Sequence, residues 1–238
     1  MNTSTRNRKG FTLIELLTVI AIIGILAAVL FPGVQGVMKK AKQSAASTKL
    51  RNIAQSMITY NNGSKMIKSG AWNVSTAPTS ASSLPEFAAV LALNAGLNSP
   101  GIWYIDADPA NEKQINFATQ VLAGAAGSET INGYFKTPSA DNGYQAWTTY
   151  APSLKNLTEQ IPLFWTRGLG SDGKWTTANG VWGAEGGHIA FGDAHVDWRS
   201  DTFAPENMFA SKKTPGTTTA NWNDAVSSSG TVTELKSK

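Results

Sequence analysis

No cysteine occurs among the 238 residues, which excludes disulfides, thiolate metal sites and thiol catalysis. The compartment stays open, because exported proteins need not carry disulfides. Histidine is nearly absent as well: there are two, which leaves little for imidazole metal sites or proton relays. Charged residues make up only 15% of the chain. Arg6, Arg8 and Lys9 account for three of the 20 basic residues, and without them 17 basic residues face 16 acidic ones. That near-neutral remainder gives no electrostatic footprint for nucleic acid, and none is expected as a partner. No Gly-x-x-x-x-Gly-Lys-Ser/Thr loop is present to cradle nucleotide phosphates. No internal repeat stands out in residues 62–238.

What the chain does have is one long apolar run near its start, "RKGFTLIELLTVIAIIGILAAVLFP". From Phe11 to Phe31 only Glu15 is ionisable. As a helix this segment of 21 residues spans about 31 Å, the thickness of a bilayer core. The basic cluster Arg6, Arg8 and Lys9 places its N-terminal end in the cytoplasm by the positive-inside rule. A secretory signal peptide has a shorter apolar region, and a plain signal anchor needs no glutamate. Cutting between Gly10 and Phe11 explains the glutamate: the new α-amine lies four residues from Glu15, and an opposite charge offsets the cost of a carboxylate in hydrocarbon.

"KGFTLIELLTVIAIIGILAAVLFP" resembles the leader junction and first helix of type IV pilins and type II secretion pseudopilins. The resemblance covers roughly the first quarter of the chain. It implies cleavage by a prepilin peptidase after Gly10 and N-methylation of Phe11. It also implies an assembly role for Phe11 and Glu15, and a helix-distorting proline, Pro32. The implied fold is α+β and pilin-like: a long N-terminal helix packed on a C-terminal antiparallel sheet.

Beyond Pro32, Leu50, Ile53, Ala54, Met57 and Ile58 form an apolar stripe at helical spacing, which Ala41 and Ala45 extend backwards. Lys39, Lys40, Lys42, Lys49 and Arg51 read as a solvated face, or as contacts to lipid head groups or acidic neighbours. The helix is expected over 11–61, ending at Asn62-Gly63. The expected organisation is a leader at 1–10, a membrane or filament-core helix at 11–31 and an amphipathic continuation at 32–61. A globular α+β head at 62–210 and a loose tail at 211–238 follow, with "TVTEL" as an edge strand. The chain is rich in glycine and proline (22 and 10), and the head reads as strands and loops. Within it, 85–97 reads as a helix, while 101–108, "GYFKT", "YQAWTTYAP" and "IPLFWTRG" read as strands.

"GGHIAFGDAHVDWR" (186–199) reads as a hairpin. A two-residue loop, Asp193-Ala194, pairs Phe191 with Val196 and Ile189 with Trp198, leaving His188, His195, Asp197 and Arg199 on the outer face. Ala194 suits such a turn poorly, so a loop starting at Gly192 is the alternative. With "PLFWTRGLGSDGKW" upstream, this stretch resembles the C-terminal part of pseudopilin-like proteins.

No catalytic residue is assigned. Asp106 and Asp108, and His195 and Asp197, are the candidate metal ligands, with calcium the candidate ion; Asx-turns and a polar hairpin face are the plainer readings. Eight tryptophans raise an adhesive face against the plainer reading of core. The leading function is structural: a pseudopilin of a type II secretion system or a related pilin. Its partners are copies of itself or other pseudopilins, prepilin peptidase, an inner-membrane assembly platform with its ATPase, and lipid before assembly. The expected location is the bacterial inner membrane, single-pass with the head exported, then a periplasmic or surface filament. The alternatives are a pilus adhesin or DNA-uptake pilin, and an anchored hydrolase built on the histidine hairpin.

Overall fold

The computed structural model describes residues 11–63, 66–112, 116–137, 143, 145–150, 157, 160–178, 180–200, 208–228 and 232–236. The calls on Arg6, Arg8, Lys9 and Gly10 lie outside the described residues. The chain divides into two compact units, 1–41 and 42–238.

One helix, α1 (Leu13–Asn62), runs unbroken through Pro32 and across the unit boundary. In the first unit every residue from Phe11 to Ala41 is exposed. Its most apolar window has a mean hydropathy of 2.8, and none of that window is buried inside the chain. So much exposed apolar surface needs a covering: lipid, or other chains.

In the second unit, α1 becomes one-sided. Gln43, Ala46, Leu50, Ile53, Ala54, Met57 and Tyr60 are buried. The stripe therefore continues backwards through Ala46 and Gln43, not through Ala45 and Ala41, which are exposed. Steps of four and three from Leu50 reach Ala46 and Gln43, and the expected pair sits off that line.

Two short strands, β1 (Lys68–Ser69) and β2 (Ser80–Ala81), pair in parallel and lead into α2 (Leu84–Ala95). Gly96 ends α2 in the left-handed region, and its N–H donates to the Leu91 carbonyl. After a hairpin of β3 (Leu122–Ala123) and β4 (Thr130–Ile131) comes a single turn, α3 (Gly133–Lys136). The strands β5 (Trp147–Tyr150), β6 (Pro162–Thr166), β7 (Gly187–Phe191) and β8 (Val196–Arg199) follow. Then come β9 (Phe209–Ala210), β10 (Thr218–Thr219), α4 (Trp222–Val226) and β11 (Glu234–Leu235). The main sheet has five strands in the order β11-β5-β6-β7-β8, all antiparallel. The architecture is α+β: a long N-terminal helix followed by this sheet.

Both faces of the sheet are covered. Phe164, Ala190 and Trp147 join Leu50, Ile53 and Met57 of α1 and Phe87 of α2 in one cluster. Phe87 meets Phe164 edge-on at 5.4 Å. Trp165, Ile189 and Phe191 join Phe209, Trp222, Ala225 and Val226 in a second. The C-terminal stretch is thus not a loose tail. Its composition is polar on average, but Phe209 and Trp222 are anchors, with Trp165 and Trp222 at 4.8 Å. The edge strand read in "TVTEL" is β11, paired with β5.

Two expected strands are absent. Pro100 to Ile102 form a 3-10 turn at the head of the 101–108 stretch, with Pro at its first position. "GYFKT" is the helical turn α3, because the Asn132 side chain caps it by accepting from the Tyr134 N–H.

Candidate assembly segment and head sites

Glu15 has a partner within its own chain. Its Oε2 accepts from the Thr12 backbone N–H at 2.9 Å and from the Thr12 hydroxyl at 2.7 Å. In return the Thr12 hydroxyl accepts from the Glu15 N–H at 3.4 Å. This is a capping box: Thr12 precedes the first helical residue, and Glu15 is the third. The carboxylate also sits at the positive end of the helix dipole. Sequence reasoning missed this role, although Thr-x-x-Glu before an apolar run is its signature. Phe11, one residue upstream, is exposed. An α-amine created at Phe11 would therefore stand beside the N–H that Glu15 already accepts.

The hairpin takes the alternative, a loop starting at Gly192, which replaces the register of the two-residue loop. Ala190 pairs with Val196, Ile189 with Asp197 and His188 with Trp198. The loop has three residues, Gly192 to Ala194. The Ala194 N–H donates to the Phe191 carbonyl, and Ala194 takes the left-handed conformation at φ 68°. That conformation costs about 1 kcal/mol for a residue with a Cβ. The two histidines consequently lie on opposite faces, and no joint site forms. His195 stacks on Phe191 at 4.4 Å, and its Nδ1 meets Asp193 Oδ1. Its Nε2 lies 3.6 Å from Asp197 Oδ2, and Arg199 reaches the same oxygen at 3.7 Å. Burial works upward on Asp193, but the bonds from the His195 backbone and ring hold its carboxyl below the usual range.

His188 is buried edge-on to Trp198 at 4.9 Å, and its Nδ1 has no partner among the described residues. Burial pushes its pKa down to about 4 from 6.5. The folded state therefore prefers the neutral ring. Stability is full above pH 6.5 and falls as pH drops toward 4. Between pH 7 and 5 the loss from this group is about 2 kcal/mol. Urea unfolding at the two pH values checks it, and His188→Phe is expected to remove most of the difference.

Asp106 and Asp108 diverge. Asp106 is exposed, 3.9 Å from Lys49. Asp108 is buried, and both its oxygens accept from Arg167 Nη2 at 2.7 Å. Burial pushes the Asp108 carboxyl up, with Arg167 and the Ala110 N–H opposing. Among the described residues no group of three His, Asp or Glu side chains converges as a metal site. All eight tryptophans are described; six are buried, and Trp72 and Trp198 are half-buried against the core.

An apolar, capped, exposed helix ahead of an α+β head defines a pilin-like architecture. The family described as "Prokaryotic N-terminal methylation motif" matches residues 5–31. The chain is similar to the "Type IV wide pilus major component PilA4" of Thermus thermophilus, 55% identical over 20% of this chain and 36% of the relative. The "Fimbrial protein" of Moraxella nonliquefaciens is 43% identical over 26% and 41%. The "Type IV major pilin protein PilA" of Myxococcus xanthus is 56% identical over 19% and 20%. The chain thus matches less than half the length of each of these relatives, over 63 residues or fewer. None of the three is named as an enzyme. No solved structure matches the chain.

Proposed function

We propose that this chain is the precursor of a subunit of a type IV pilus-like filament. The observation that carries the reading is the methylation motif at 5–31, running into an apolar helix that the protein itself leaves uncovered. The leader holds the chain in the inner membrane with its N-terminus in the cytoplasm and its head exported. Prepilin peptidase cuts between Gly10 and Phe11, and Phe11 is methylated. On extraction from lipid, Glu15 of one copy takes up the Phe11 amine of a neighbour, and the apolar helices bury one another. An assembly platform with a separate ATPase supplies the force.

The narrower reading is a type II secretion pseudopilin, supported by the resemblance of the hairpin region to pseudopilin-like proteins. The pilus names of the relatives favour a pilus instead. Electron microscopy of purified assemblies, with subunit stoichiometry, separates a long surface fibre from a short periplasmic one.

Glu15→Val tests the charge-pairing step. Insertion and cleavage are expected to persist while filament yield drops several-fold. The capping box is lost in the same variant, so Thr12→Ala serves as the control. If both variants lower yield equally, capping accounts for the effect and charge pairing does not.

A further inference from the structure

One groove of the head is built from neutral polar side chains among the described residues. It has a volume of about 620 Å³ and lies between the last turns of α1 and the end of α2. Asn52, Gln55, Ser56 and Thr59 line it from α1, and Asn94 from α2. No charged side chain lines it among the described residues. The Asn52 and Gln55 amides make no hydrogen bond among the described residues. Asn94 spends its Nδ2 on the Val90 carbonyl at 2.9 Å, which leaves its Oδ1 to accept. The Ser56 and Thr59 hydroxyls donate to the Asn52 and Gln55 carbonyls and can still accept. Tyr60 also lines the groove; it is 5% exposed, and its buried hydroxyl has no partner among the described residues. Ala95 and Leu97 add a small apolar surface.

We propose that this groove binds a short, neutral oligosaccharide. The lack of a cation among the described lining residues disfavours phosphates and carboxylates, and the density of amides disfavours an acyl chain. A planar amide offers a donor and an acceptor side by side, which matches adjacent hydroxyls on a sugar ring. Leu97 and Ala95 meet the ring's C–H face. The volume falls in the range of small-molecule sites, about 300–1,000 Å³. The site is separate from the buried tryptophans. It lies wholly within residues 52–97, so it stands or falls independently of the filament reading.

The test uses the full chain in zwitterionic detergent, since sugar-headed detergents would compete. Maltotriose, cellotriose and chitotriose are titrated while the side-chain amide NMR signals of Asn52, Gln55 and Asn94 are followed. At least one sugar is expected to shift these signals saturably. Gln55→Ala is expected to weaken binding about fivefold, the loss of one hydrogen bond. Thr59→Trp, which fills the groove from an exposed helix position, is expected to abolish it with the remaining spectrum unchanged. No saturable shift up to about 10 mM of any of the three sugars overturns the proposal. So do shifts that neither variant alters. Tighter binding of trialanine than of every sugar also overturns it.

Discussion

Gly10→Ala is expected to leave a chain ten residues too long and no filament. On the proposed reading the leader carries Arg6, Arg8 and Lys9 on the cytoplasmic side of an apolar helix that none of the described residues covers. While the leader stays attached, Phe11 contributes an amide and no amine, so Glu15 keeps Thr12 as its partner. Moving three cations into the bilayer core would cost on the order of 7–10 kcal/mol on insertion scales. The uncut chain is thus held in the membrane by its basic end. Intact-mass spectrometry of the membrane fraction reads the outcome directly. Wild type should begin at Phe11 and carry one added methyl, whereas the variant should begin upstream of Gly10. A variant that still begins at Phe11 would remove glycine from the cleavage requirement. Filaments built of uncut chains would remove the amine from the assembly step.

The parts of the molecule that a local pattern specifies were legible before any coordinates. The stripe through Leu50, Ile53 and Met57 needs only the helical repeat, and α2 needs only its apolar run after Ser83-Leu84-Pro85. The strands β5 to β7 are aromatic and β-branched between turn residues. The hairpin register was not legible, for a physical reason. Alternation reports register only when one face of a sheet meets water. Here Ile189 and Ala190, on opposite faces, are both fully buried, so gathering the apolar residues of both strands on one face gains nothing. Turn geometry decided instead, with Ala194 accepting a conformation that favours glycine. The tail failed for a related reason: a few anchors such as Trp222 outweigh a long polar average. In the assembly segment, Glu15 was legible as an exception to the apolar run, but attention to its charge hid the capping box. Asp108 was legible only as a turn carboxylate, because its partner lies 59 residues away.

That partner yields the largest expected loss of stability in the head. Arg167→Ala should destabilise folding by about 3–5 kcal/mol, the cost of stranding one member of a buried ion pair. The Asp108 side chain is fully buried, and Arg167 is 13% exposed. Truncating the arginine leaves the carboxylate without its guanidinium and without water. Its remaining bond, from the Ala110 N–H at 3.0 Å, is neutral and cannot replace a charge. The reverse change, Asp108→Asn, keeps an acceptor for Ala110 and leaves a cation that can lean toward solvent, so it should cost less. The asymmetry separates a stranded charge from a lost contact, which would cost the same from either side. Loss of the pair also unties the turn at Asp108 from the end of β6, since Arg167 follows that strand directly. Denaturant unfolding of the three proteins at pH 7 gives the ranking. Lowering the pH should then rescue Arg167→Ala relative to wild type, because protonation neutralises the stranded carboxylate, whose pKa burial already raises. An Arg167→Ala protein that gained nothing on acidification would mean that the buried carboxylate is not the source of the loss.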